Sequence, residues 1–436
     1  MNVKYRIHSL PVELLSDIFL HYLRIKDDSN SPSYLSAHKF STATPFTLSH
    51  VSHTWREITL NYPLLWSSIA IVNPSHWQIP LIRLWIENSG SCPLSISFTQ
   101  ISYDTSALCD LDFDILSPSN PIARQDIEAT DTIMALLVTS SHRWRSVHLD
   151  LGEYLPQPLK TLHSSSSLPL LQSTILKTKR PSYSCASSAE ATLWDVLHLQ
   201  PSLWSASLSR SDIEGRCPKS LLKRLRNITL YDDFSTEEAL DILESCSSIK
   251  RLTIHLDNSM SRSPTSPVQQ RMLTLSQLHK LELITSINPE PFLASLTLPS
   301  LTSISISCYG LKPHTAALAF RSLIERSKCH IQDLALRGND IPQAEVLIFL
   351  SAPTPSVRAI KLETMAITPE ILLALTETED KGPEDQFYFP QLRSLSLASL
   401  KAPEWVISQM IKSRLNRYGV AELSSMFVDG RVRHIY

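Results

Sequence analysis

From Leu225 to Leu397 the chain repeats one arrangement of apolar positions: an apolar residue, two variable ones, an apolar residue, one variable, an apolar residue. The copies are Leu225-Ile228-Leu230, Ile249-Leu252-Ile254, Leu278-Leu281-Leu283, Leu301-Ile304-Ile306, Ile331-Leu334-Leu336, Val357-Ile360-Leu362 and Leu392-Leu395-Leu397. Their central residues lie 24, 29, 23, 30, 26 and 35 positions apart. Trp144-Val147-Leu149 is a further copy, Leu171-Thr174-Leu176 and Leu203-Ala206-Leu208 are degraded ones, and Trp66-Ile69-Ile71 with Ile96–Phe98 are candidate entry units. Apolar residues two apart predict a short strand with one buried face. Helical spacing fills the intervals: Ser235-Thr236-Glu237-Glu238 reads as a capping box, and Ala316–Arg326, Ala344–Leu350, Pro369–Thr376 and Pro403–Leu415 have apolar residues at the same spacing. Strand and helix alternating at this period predict an α/β solenoid, with parallel strands on its concave side and helices on its convex side. The interval from 96 to 147 is too long for one unit and predicts an insertion around Ser102–Asp126 followed by a helix Ile127–Val138.

The first 66 residues have another pattern. Pro11 suits the first turn of a helix and Glu13 its positive end. Leu14, Ile18 and Phe19, widened by Leu15, Tyr22 and Leu23, form an apolar stripe. Leu48, Val51, Trp55 and Ile58, spaced 3, 4 and 3 apart, predict one face of a second helix, stopped by Pro63. Two or three short helices bury little area alone and are expected to complete their core against a partner. The stretch 26–45 between them is polar and rich in Ser and Thr.

Composition narrows the function. The chain has 436 residues, 43% hydrophobic and 19% charged, with a net charge of −2. That fits a folded protein and asks for neither nucleic acid nor an anionic membrane. Eight glycines leave little material for phosphate loops, and no catalytic motif is present. Seven cysteines lack Cys-x-x-Cys spacing, so buried free thiols in a reducing compartment are expected rather than zinc or disulfides. With no signal core and no run of 18 apolar residues, a cytosolic or nuclear protein is expected. His50 and His53 have no Cys or acidic partner at ligand spacing and read as exposed helix residues. Ser263-Pro264 and Ser266-Pro267 lie in an expected loop, Asn258–Gln270; Leu162–Ser188 reads as a second loop, and Glu377–Asp385 as an acidic, solvated one. The tail Val420–Tyr436 is expected to hold a terminal capping strand.

Without an enzyme site, the functional surface is expected to be a binding surface. Residues between the apolar positions of each strand line the concave face. Most are Ser, but charge gathers between Asn227 and Ile284 and again near residue 337. Arg251, His255, Lys280, Glu282, Arg337, Lys361 and Glu363 are therefore candidates for holding a protein target. The competing reading of each is an ordinary solvated strand residue.

Leu10-Pro11-x-Glu13-Leu14-Leu15-x-x-Ile18-Phe19 with Leu48-x-x-Val51-x-x-x-Trp55-Arg56-x-Ile58 resembles an F-box over residues 1–66. Tyr62-Pro63-x-Leu65-Trp66, Gly90-Ser91-Cys92-Pro93-Leu94-Ser95-Ile96 and His142-Arg143-Trp144-Arg145-Ser146-Val147 resemble the F-box proteins abundant in mushroom-forming fungi. Residues 67–436 look like the irregular leucine-rich-repeat domain that comes after many F-boxes. They depart from the regular repeat, which places Asn or Cys three residues past the last leucine. Asp233, Asp257, Ser286, Tyr309, Asn339, Met365 and Leu400 stand there, and only Asn339 fits. The resemblance implies the substrate-recognition subunit of a Skp–cullin–F-box ubiquitin ligase, a non-catalytic adaptor without cofactor. Leu10, Pro11, Leu14, Ile18, Val51 and Trp55 would bind the Skp adaptor, and through it a cullin–RING ligase, while the repeats hold a protein bound for ubiquitin-dependent degradation. The alternative is an interaction scaffold outside any ligase.

Overall fold

The computed structural model describes residues 10–25, 35–36, 44–100, 121–152, 154–162, 168–178, 188–257, 271–309, 316–338, 341–364, 367–378, 385, 389–415, 419–428 and 431–433. Most of the polar stretch 26–45, residues 102–120 of the expected insertion, the Asn258–Gln270 loop with both Ser-Pro pairs, and Asn339 and Met365 lie outside the described residues. The chain divides into two compact units, residues 1–206 and 207–436.

The first unit opens with the helix Val12–Ile25. Leu15 and Phe19 turn inward at 1% exposure each, whereas Leu14 and Ile18 are 51% and 43% exposed. The single stripe expected here is thus two. Positions 14 and 18 share one row of the helix, and 15 and 19 lie on the next, about 100° round. The expected second helix is also two, Pro45–Ser49 and His53–Leu60. Ser52 divides them. Its backbone is extended, and its hydroxyl accepts from the Trp55 amide at 3.2 Å, an N-cap that competes with helix continuation. The helix His53–Leu60 closes on the Asn61 cap, and Pro63, two residues past that cap, opens a short 3-10 turn, Pro63–Trp66.

Trp66 ties these helices to the next helix of the same unit. Its Nε1 donates to the Thr59 carbonyl at 2.7 Å. Its ring meets Trp85, on the helix Ile79–Asn88, edge-on at 5.4 Å, and Phe46 packs against both at 5.2 and 5.4 Å. Elements on either side of residue 66 share this aromatic core.

Strands Ser68–Val72, Leu94–Thr99, Trp144–Leu151 and Ser173–Thr178 then pair in chain order, all parallel. The last lies inside the stretch read as a Ser-rich loop. There Thr174 fills an interior position and is fully buried, so the degraded copy is still a repeat. The helix before Trp144 runs Pro121–Thr139 and so begins within the expected insertion.

In the second unit Asn227–Phe234, Arg251–Leu256, Lys280–Thr285, Ser303–Cys308, Asp333–Gly338, Ala359–Thr364, Ser394–Leu397 and Ser425–Val428 form one parallel series. Arg431–Arg433 turns back antiparallel and ends it. Along Arg251–Leu256, Lys280–Thr285 and Asp333–Gly338 every second residue is buried and those between are not. Helices separate the strands. Thr236–Glu244 has the expected capping box: Ser235 Oγ accepts from the Glu238 amide, and Glu238 Oε2 accepts from the Ser235 amide at 2.8 Å. Ala316–Ser327, Gln343–Leu350, Pro369–Ala374 and Glu404–Lys412 come after it. Among the described residues no helix is long and apolar enough to cross a membrane.

Arginines from later elements cap earlier helices. Arg143 donates through Nε to the Cys92 carbonyl at 3.0 Å and through Nη2 to Ser89 Oγ at 2.7 Å, just past the helix Ile79–Asn88. Arg326 donates to the carbonyls of Leu293 and Leu296 at 2.6–2.9 Å, at the end of the helix Glu290–Ala294. Arg414 donates to the Leu375 and Phe389 carbonyls at 3.0 and 2.9 Å, past the helix Pro369–Ala374. Each guanidinium donates to a carbonyl at the end of an earlier helix, that of Ser89, Leu293 or Leu375, and to a second carbonyl beyond it, that of Cys92, Leu296 or Phe389. Arg414 also pairs with Glu377 at 3.1 Å, both side chains at 0% exposure. Glu377 is therefore no solvated loop residue: it accepts from the Phe389 amide at 3.0 Å and lies wholly inside.

Candidate functional site

Two surfaces of the chain hold the residues singled out by sequence. The first lies on the opening helices. Pro11 is exposed and Leu10 is 37% exposed. With Leu14 and Ile18 they give this helix an uncovered apolar side, to which Val12 and Tyr22, neither of them a sequence candidate, also contribute. Val51 is 55% exposed in the link between the next two helices. Trp55 differs from the others. It is half-buried, its ring 4.5 Å from that of Phe19, and so supports the exposed side from beneath. Together these side chains form an exposed apolar patch on one helix.

The second surface is the polar side of the strands of residues 207–436. Strand register sets Asn227, Arg251, Lys280, Ser303 and Asp333 in one row, and Thr229, Thr253, Glu282 and Ser305 in the next. His255 stands beside Ile284, and Arg337 between Ser307 and Glu363. Four of the candidates form one chain of charges. Arg337 Nε lies 2.9 Å from Glu363 Oε2, its Nη1 lies 3.5 Å from Glu282 Oε1, and Lys361 Nζ lies 2.8 Å from Glu363 Oε1. To reach Glu282, Arg337 crosses the whole strand Ser303–Cys308. Ser305 and Ser307 on that strand are buried, although the alternation placed them on the solvated side. Two cations and two carboxylates neutralise one another here, though Arg337 Nε meets Glu363 without hydrogen-bond geometry.

Arg251 and Lys280 are not part of that chain. They sit on adjacent strands, both exposed, with Lys250 and His279 immediately preceding those strands and Arg226 preceding the neighbouring strand Asn227–Phe234. Amides of Lys250 and His279 donate in turn to the carbonyls of Arg226 and Lys250, which aligns the three strand entries. The signal in the sequence is a basic residue directly after the first apolar residue of three successive triplets: Arg226 after Leu225, Lys250 after Ile249 and His279 after Leu278. Asp333, two strands further on, has its carboxyl pushed up by burial, with Lys280 and Arg358 opposing.

Among the described residues no group of His, Cys, Asp and Glu is placed to hold a metal ion. Burial pushes the thiols of Cys217 and Cys246 up to about 12 and that of Cys308 to about 11. Thiols held protonated this far above neutral pH are poor nucleophiles and poor acceptors of ubiquitin.

No family model and no curated protein matches the chain. Among solved structures it is similar to a Bacteroides fragilis protein from a structural genomics consortium, at 15% identity over 58% of this chain and 75% of that one, with a TM-score of 0.37. A likeness that slight carries no argument.

Proposed function

We propose that this chain is the substrate receptor of a Skp–cullin–F-box ubiquitin ligase, its N-terminal helices an F-box and its repeats an irregular leucine-rich-repeat domain. The observation that carries this reading is the uncovered apolar side of the helix Val12–Ile25, on the very residues that carry the F-box resemblance. Leu10, Pro11, Leu14, Ile18 and Val51 would meet the Skp adaptor, while Trp55, with Leu15 and Phe19, holds the helix that presents them. Leu14 and Ile18 are about half exposed, so burying the rest of each would contribute about 0.7–1.5 kcal/mol to association. The polar strand surface of residues 207–436 would hold the target. Catalysis would then be proximity supplied in trans: target lysines kept at high local concentration near a charged ubiquitin-conjugating enzyme, with no residue of this chain taking part in the chemistry.

Purified Skp adaptor titrated against the full chain tests the reading, beside a Leu14→Asp/Ile18→Asp variant checked for unchanged circular dichroism. Binding by the natural chain and its loss in the variant is the expected result. A folded natural chain that does not bind would reject the ligase reading and leave an interaction scaffold.

A further inference from the structure

The two charged parts of the strand surface differ in one respect. Glu282, Arg337, Glu363 and Lys361 are paired among themselves and sum to zero charge. Arg226, Lys250, Arg251 and Lys280 are exposed and make no ion pair among the described residues. They stand at the entries of three consecutive parallel strands, Asn227–Phe234, Arg251–Leu256 and Lys280–Thr285. The whole chain carries −2, so this strip is a local concentration of positive charge. The nearest acid in sequence is Glu282, two residues along the strand from Lys280, and it is engaged by Arg337 at 3.5 Å; Asp257 is six residues from Arg251, about 20 Å of extended chain. The acid sharing its row is Asp333, beyond Ser303.

We propose that this strip is a docking surface for an extended, Asp- and Glu-rich segment of a partner protein. Neighbouring strands are about 4.8 Å apart, so three entries span roughly 10 Å. Alternate side chains of an extended segment are about 6.6 Å apart. Three carboxylates at alternate positions of a five-residue stretch span about 13 Å, enough to reach across all three entries. The four cations are strung along the strand entries rather than gathered on one point, which suits a run of carboxylates better than a single small anion. The adjoining row positions are Asn227, Thr229, Thr253, Glu282 and Ser303, of which Glu282 is engaged by Arg337; at the three strand entries His279 alone carries a ring, too little for the successive base stacking that single-stranded nucleic acid uses. This names the class of target for the proposed receptor and rests on that reading only for its biological meaning. The binding itself needs no adaptor.

Fluorescence anisotropy of a labelled ten-residue peptide of alternating Glu and Ser, added to the full chain at low salt, tests it. The probes beside it are the Lys–Ser counterpart and a ten-nucleotide single-stranded DNA. Arg251→Glu/Lys280→Glu is compared with Lys412→Glu, on the distant helix Glu404–Lys412, and both are checked by thermal melting. The expected result is binding of the Glu peptide alone, weakened at least tenfold by the double reversal and unchanged by Lys412→Glu. No binding, binding indifferent to the double reversal, or tighter binding of the DNA would overturn the proposal. Adaptor titration on the same samples reads out separately, so failure of the strip and failure of the ligase reading give different patterns.

Discussion

The Arg143 guanidinium lies 2.7 Å from Ser89 Oγ across 54 residues of sequence, and it also holds the Cys92 carbonyl. Gly90-Ser91-Cys92-Pro93 and His142-Arg143-Trp144, two of the stretches on which the resemblance rests, are thus in contact. Their shared role here is to close a helix end. Removing the guanidinium strands buried acceptors, at about 1–3 kcal/mol. Arg143→Met is expected to lower the urea midpoint accordingly, with adaptor and peptide binding intact below the transition.

The two rows of the first helix separate stability from recognition. Leu15→Ala and Phe19→Ala each empty a buried position and are expected to cost about 2–5 kcal/mol. Leu14→Ala and Ile18→Ala remove exposed side chains and should change folding by less than about 0.5 kcal/mol. Thermal melts of the four variants check this. Equal losses in both pairs would mean the exposed row is covered within the chain.

Glu377 and Arg414 form a fully buried pair. Arg414→Met alone leaves a buried carboxylate uncompensated and is expected to destabilise by about 3–5 kcal/mol. Adding Glu377→Gln to that background removes the charge, and a double-mutant cycle should return part of the loss.

His148 supplies a pH dependence. Burial pushes its imidazole below the usual range, with Lys177 adding to the effect and Asp150 opposing it. The folded chain therefore prefers the neutral ring, and the unfolded chain binds the proton more readily. The contribution is complete above about pH 6.5 and is lost as pH falls below that value towards the folded pKa. Melts between pH 7.5 and 5 should show a falling midpoint, and His148→Gln should flatten the fall.

The strands are legible in the sequence because their apolar residues recur at i and i+2 and each copy is short. Even Leu171-Thr174-Leu176 keeps enough pattern to be found, although Thr174 carries a hydroxyl into the interior. The opening helices are less legible. Spacing alone does not say which of two adjacent apolar rows faces inward, so Leu14 and Leu15 read as one stripe. Ser52 breaks a periodicity that looks continuous, because a hydroxyl cap competes with a helix at a cost that apolar spacing does not record. Of the candidate binding residues, Arg337, Glu282, Lys361 and Glu363 are visible as charges, but their mutual pairing is not. It depends on an arginine reaching over a strand that only the register reveals. Glu377 reads as solvated for the same reason, its partner lying 37 residues away.

Repeat arrays ordinarily lengthen and shorten by copying or losing whole units. Arg143, Arg326 and Arg414 restrict that freedom, since each finds its acceptors in a unit other than its own. Excising the unit on either side of such a joint would leave a guanidinium facing no carbonyl, or carbonyls facing no donor. These three joints are where the chain should resist changes in repeat number, and insertions should accumulate elsewhere.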